Sequence, residues 1–221
     1  MVENSYPGAA GSNIAMTKVD FKKTLKNLYR PSTSAFSLLE VPAMRFLMID
    51  GRGDPNTDPA YQATVEALFS VAYTLKFMSK NGPGRDYVVP PLEGLWWADD
   101  MQSFTVGRDK SKWHWTMMIM VPDWLSVEMV GEAQAEAGKK KTLPALPMMR
   151  CESYEEGLSV QIMHVGSYDD EGPTLERLHS EFMPANNLAF NGKHHEIYLS
   201  DRRRVAPEKL RTILRQPVRR I

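Results

Sequence analysis

Residues 48–68 read MIDGRGDPNTDPAYQATVEAL, and their order of signals fixes how the rest of the chain is read. An apolar run closes on Gly51 and Gly53, as a strand does when it enters a turn. Asp58 then stands where a helix cap belongs, with Pro59 in the first helical position. Val65, Leu68, Ala72 and Leu75 follow at helical spacing and make one apolar stripe. Residues 163–178, MHVGSYDDEGPTLERL, pass through the same stages. A strand ends in glycine and acids, Pro173 opens a helix, and Leu175, Leu178 and Phe182 share one side of it. The match continues downstream, where LEGLWWADD (92–100) pairs with HEIYLSD (195–201) and TMMIMVP (116–122) with TILRQP (212–217). This is an internal repeat of pattern rather than of identity.

The repeat predicts an α+β fold of two tandem strand–helix–strand–strand units with antiparallel sheets, related by a pseudo-two-fold axis around a central ligand cleft. Repeat one covers about residues 42–125, a linker about 126–150, and repeat two about 151–218. The linker holds a polar-sided helix, VEMVGEAQAEAGKKK, and a proline-punctuated segment, TLPALPMM. The stretch MTKVDFKKTLKNLYRPS (16–32) reads as a short surface helix stopped at Pro31. Residues 20–221 form a single domain, and residues 1–19 read as a disordered leader without the basic and apolar regions of a signal peptide.

Each sheet is expected to carry its helix on one side, leaving the uncovered faces to border the cleft. Glu93 and Glu196 occupy matching points of the second strand of each unit, so the repeat brings two carboxylates into one pocket. Alternation along a strand places Trp97 beside Glu93 and Tyr198 beside Glu196. Pro90 and Pro91 can shift that register, which keeps Trp96 open as the alternative to Trp97. Trp115, Met48, Met163 and Tyr168 complete the candidate lining. For the tryptophans and methionines, plain core packing is the competing reading.

Composition narrows the function classes. The 221 residues carry 27 Lys+Arg and 27 Asp+Glu, a formal net charge of zero. Nucleic acid and anionic membranes reward an excess of positive charge, and neither is expected as a direct partner. The basic runs at Arg202–Arg204 and at Arg215, Arg219 and Arg220 read as solvated surface. One cysteine, Cys151, allows no internal disulfide and suits a reducing cytoplasm. No apolar run approaches the ~20 residues of a membrane span. His194, His195 and Glu196 invite a metal, but neighbours on a strand point to opposite faces, so the three cannot chelate together. DGRGDP lacks the Lys–Ser/Thr of a phosphate loop. Neither metal nor cofactor is expected.

Taken together, HHEIYLSD followed by PEKLRTILRQPV, the HVGSYDDEGPT turn, and YTLKFM with VVPPLEGLWW resemble the GyrI-like small-molecule-binding family from about Asp20 to Arg215. The resemblance implies two strand–helix–strand–strand units with a ligand cleft on the pseudo-axis. It also implies that Glu196 lies at the bottom of that cleft, meeting cationic aromatic compounds. With only some twenty to forty residues ahead of the first strand, the chain resembles a stand-alone member, and some of these are implied to hydrolyse electrophilic cyclopropanoid genotoxins. On that reading Glu196 is the base that orients water, since a dry carboxylate becomes a competent base. Glu93 then shares that task or donates to the departing oxygen. The alternative is a non-catalytic binder of hydrophobic cationic aromatic compounds, and a third class is an inhibitor acting on a partner protein.

Overall fold

The computed structural model describes residues 18–99 and 109–221. The leader, apart from its last two residues, lies outside them. The chain enters through a bridge between Val19 and Tyr87, then forms two four-residue helices, α1 (Phe21–Thr24) and α2 (Lys26–Tyr29). Repeat one supplies β2 (Met44–Arg52), α3 (Pro59–Asn81), β3 (Leu92–Trp97) and β4 (His114–Val121). Asp58 caps α3 by accepting the Ala60 N–H at 2.8 Å, and Pro59 costs nothing at a position with no hydrogen-bond partner to lose. The linker helix is α4 (Val127–Lys140). Repeat two supplies β6 (Gly157–Val165), a helical segment beginning with α5 (Gly172–Arg177), then β8 (His194–Tyr198) and β9 (Arg211–Arg220). That helical segment continues as a π turn over Leu178–Phe182 and a last helical turn at Met183–Ala185.

Three strands were not foreseen from sequence: β1 (Ser37–Val41), β5 (Arg150–Tyr154) and β7 (Leu188–Phe190). Two of them close the sheet. All pairings are antiparallel along the path β1-β6-β9-β8-β3-β4-β2-β5, with β7 added to β9. Only Pro42 and Ala43 separate β1 from β2, and only Glu155 and Glu156 separate β5 from β6. The pair Val41↔Gly157 is continued by Met44↔Tyr154. The two ends of the path therefore run into each other, and the sheet wraps round with one face inside.

The path is symmetric about the β3–β8 ladder, whose central pair is Gly94↔Glu196. A two-fold axis there exchanges β4 with β9, β2 with β6, and β5 with β1. It equates Glu93 with His195, Gly94 with Glu196, and Trp96 with Tyr198. The turns after β2 and β6 match as well, each needing the positive φ that glycine adopts freely, 107° at Gly53 and 148° at Gly166.

The two faces are filled differently. Leu47, Ile49, Trp115, Met117 and Ile119 pack outward under Leu68, Val71 and Leu75 of α3 and Val130 and Ala133 of α4. Val160 and Val218 do the same under Leu178 and Met183. The inner face gathers Phe46, Met48, Leu95, Met118 and Met120, with Ile197 and Ile213 beside them. Leu28 and Tyr29 of α2 close it, so the described part of MTKVDFKKTLKNLYRPS, from residue 18 on, ends in an inserted plug rather than a surface helix. The expected position of the cleft changes for the same reason. The face without helices curls inward and is filled, and the cavity beside Glu196 lies on the helix-bearing face instead.

Candidate functional site

A cavity of about 350 Å³ opens over the middle of the sheet on that outer face, a size typical of small-molecule sites. Tyr61, Val65 and Phe69 of α3 form one wall, with Tyr168 and Glu171 from the turn after β6 opposite. Trp96, Glu196 and Tyr198 lie on its floor, Trp113 and the Pro90–Pro91 segment border it, and Arg202 lies at its mouth. Period-two alternation along β3 and β8 puts Trp96, Tyr198 and Glu196 on one face.

A relay of hydrogen bonds runs along the floor. Trp96 Nε1–H donates to Tyr198 Oη at 2.9 Å, and Tyr198 Oη–H donates to Glu196 Oε2 at 2.7 Å. His194 Nε2 stands 3.5 Å from Glu196 Oε1. The walls are aromatic: Tyr61 tilts over Trp96 at 6.3 Å, and Tyr168 meets Tyr198 edge-on at 5.7 Å. Burial and then the charge of Glu196 push the Tyr198 and Tyr61 phenols well above their usual range. The same two causes push Tyr168 up to about 12. All three therefore stay protonated near neutral pH, and Tyr198 spends its single hydroxyl proton on Glu196. Gly94 makes the floor possible, since a Cβ there would come 2.8 Å from Trp96 Nε1.

Glu93 is not in this cavity. Register places it on the inner face, fully buried. Tyr29 Oη–H donates to its Oε1 at 3.0 Å, and His195 Nε2 lies 3.0 Å from its Oε2. His195 Nδ1 lies 3.0 Å from Glu156, which also accepts Arg215 Nη1–H at 3.1 Å. Arg215 further donates to Gln161 Oε1 and, at 2.7 Å, to the Leu28 carbonyl. Burial alone would lower the His195 imidazole, but Glu156 and Glu93 on either side outweigh it and lift it to about 9. Burial likewise opposes ionisation of Glu156, and His195 and Arg215 override it, holding the carboxyl at about 2. Two acids and two bases thus neutralise one another in a dry interior.

The pairing of Glu93 with Glu196 is thereby corrected. Matching the two repeats on their glutamates slips the register by one residue, and one residue turns a side chain to the other face. Trp97 goes with Glu93: it stacks on His114 at 5.5 Å and carries Lys193 Nζ 3.4 Å from its ring centre. The cleft receives Trp96 instead. Trp115 is buried one layer below, its ring edge-on to Tyr61 at 5.3 Å. Met48 and Met163 pack on the inner face and do not reach the cavity. Of the residues singled out from sequence, Glu196, Tyr198 and Tyr168 line it. Tyr61, Trp113, Glu171 and Arg202 were missed. The signal for Tyr61 was its place in the first turn of a proline-started helix, and for Glu171 the acidic turn in the matching place.

Among the described residues no group of three or more His, Cys, Asp or Glu is placed to hold a metal, and no helix is long and apolar enough to cross a membrane.

Comparison with known proteins places this geometry. The family model of the GyrI-like small molecule binding domain matches residues 34–219. An uncharacterized conserved protein from Listeria innocua is 41% identical, with a TM-score of 0.83, over 91% of this chain and 100% of its own. A hydrolase from the same organism is also 41% identical, with a TM-score of 0.82, over 92% of this chain and 100% of its own. The EcmrR C-terminal domain shares the fold at 12% identity and a TM-score of 0.53, over 85% of this chain and 98% of its own. No curated protein matches the chain.

Proposed function

The chain belongs to the GyrI-like small-molecule-binding family, and from that premise we propose that the cleft hydrolyses flat, electrophilic cyclopropanoid compounds, with Glu196 as the base. The observation that carries this reading is the Trp96–Tyr198–Glu196 relay on the floor of an aromatic cavity. Trp96, Tyr61 and Tyr168 offer faces and edges for a planar guest, each well-placed ring contact contributing about 0.5–1.5 kcal/mol. A water held by the Glu196 carboxylate attacks the strained ring carbon, and the carbon–carbon bond breaks. Its electron pair passes through the conjugated dienone to the carbonyl oxygen, which becomes an aryl oxide and takes a proton from solvent on release. Glu196 takes the proton that water loses and returns it to solvent. Such assistance contributes about 10²–10⁴-fold, enough for an electrophile already activated by strain. A 41%-identical relative described as a hydrolase supports the same class of activity, and detoxification is the role that follows.

The second reading, sequestration without turnover, is favoured by the anionic floor among aromatic walls, where each cation–π contact contributes about 0.5–2 kcal/mol. Incubation with a cyclopropane-bearing alkylator, followed by mass analysis of ring-opened product, separates the two. Multiple turnovers by the native chain, lost in Glu196→Gln while binding persists, are expected. Tight binding with no product removes the hydrolase reading and leaves sequestration.

A further inference from the structure

The floor of the cleft is acidic, yet its mouth carries a cation whose charge is left over. Arg202 lies on an exposed turn after β8, fixed by the Arg204 N–H and the Val205 N–H donating to the Asp201 carbonyl at 2.9 and 3.0 Å. Asp201, the carboxylate next to it, is engaged elsewhere. It accepts Arg203 N–H, Nε–H and Nη2–H at 2.9, 3.0 and 3.0 Å, and Arg204 Nε stands 3.6 Å away. Lys110, another cation on the lining, is paired with Asp169 at 3.3 Å. Arg202 has no ion pair of this kind among the described residues. Its charge reaches both walls of the cleft, easing the phenols of Tyr61 and Tyr168 downward against their burial.

We infer that Arg202 receives the oxygen on which negative charge collects, so that the cleft selects substrates whose reaction ends in an aryl oxide, with water activated at the floor and the anion held at the mouth. This rests on the hydrolytic reading above. In the step it serves, the new bond joins water oxygen to the ring carbon and the broken bond is the cyclopropane carbon–carbon bond. The released pair ends on the former carbonyl oxygen beside the guanidinium, which offers two donors in one plane to that oxygen. The water proton goes to Glu196, and the aryl oxide takes one from solvent on leaving, so no oxidant or further reactant is needed. Donors aimed at developing charge act on the transition state more than on the bound substrate.

Two arms test this, and they fail separately. In the first, binding of 4-nitro-1-naphthol, an anion at neutral pH, is compared with that of its methyl ether by calorimetry on the full-length chain. The native chain is expected to favour the anion about tenfold, Arg202→Gln to lose the preference, and Arg202→Lys to keep part of it. The preference should also shrink as salt rises, because the group is solvent-exposed. An equal preference in native and Arg202→Gln chains overturns the inference, whether or not any compound is turned over. In the second arm, with a cyclopropanoid substrate, Arg202→Gln should lower kcat about 10-fold to 10²-fold with KM nearly unchanged, at or below the usual cost of losing one donor to an oxyanion. An unchanged kcat overturns it. Absence of turnover by the native chain sinks the hydrolytic reading, and the first arm alone then decides the role of Arg202.

Discussion

Two faces of one sheet treat a carboxylate in opposite ways at neighbouring positions. On the inner face His195 bridges Glu93 and Glu156, and the side chains of all three are at most 2% exposed. Every charge there has an opposite partner, and α2 seals the cluster through the Tyr29 hydroxyl and the Leu28 carbonyl. On the outer face Glu196 has a phenol and a histidine beside it, keeps 14% exposure, and borders the cavity. A paired, dry carboxylate holds elements together. A partly satisfied one facing a cavity has capacity left for a guest or a water.

The contrast breaks most sharply by mutation. Arg215→Gln leaves Glu156 with half its compensation in a dry interior, and breaking such a pair costs about 3–5 kcal/mol. Glu196→Gln, isosteric and beside the cavity, should cost under about 1 kcal/mol while removing turnover. Denaturant unfolding of both variants measures this. Equal losses of stability would show that the two faces do not differ as argued.

A pH series sharpens the same contrast with a smaller effect. His195 is raised from its ordinary range to about 9 in the folded chain. Its contribution to stability is therefore complete below about pH 6.5 and lost as pH climbs through 9. Glu156 is depressed to about 2, so its share is complete above about pH 4.5 and lost as pH falls through 2. The melting temperature of the native chain should hold level from about pH 5 to 6, decline from about pH 6.5 to 9 and flatten above that, while His195→Gln stays flat over the same range. A native profile level to pH 10 contradicts the charged histidine.

Why the order of elements was readable and the site only in part follows from which signals are local. Pro59 after Asp58, Pro173 after an acidic turn, and glycines ending two strands lie within a few residues of what they specify. Register is not local. Matching LEGLWW to HEIYLS on their glutamates is the natural alignment, yet the ladder centres on Gly94↔Glu196 and makes His195 the counterpart of Glu93. The partners of Glu93 come from Tyr29 and His195, and those of His195 from Glu156, distances no short motif spans. The basic tail hid Arg215 for a like reason: it reads as surface among other arginines and is in fact 1% exposed.

The smallest change addresses the axis itself. The two-fold places Gly94 and Glu196 on equivalent points of the outer face, side by side. One of the pair carries the carboxylate, and the other is bare because the Trp96 indole and the Met117 sulfur crowd the space, 2.8 and 3.1 Å from where a Cβ would sit. Gly94→Ala must therefore move the indole or the thioether. If the indole shifts, the 2.9 Å bond to Tyr198 lengthens and the phenol that orients Glu196 loses its own anchor. Affinity for a planar aromatic ligand should fall about tenfold, or about 1.4 kcal/mol, with a stability loss of about 1–3 kcal/mol from overpacking. Trp96→Phe, which removes the N–H without adding bulk, should reproduce the weaker binding at a smaller structural cost. Equal binding by Gly94→Ala and the native chain would mean that the methionine yields instead, and that the relay on the floor does not depend on a bare position beside it.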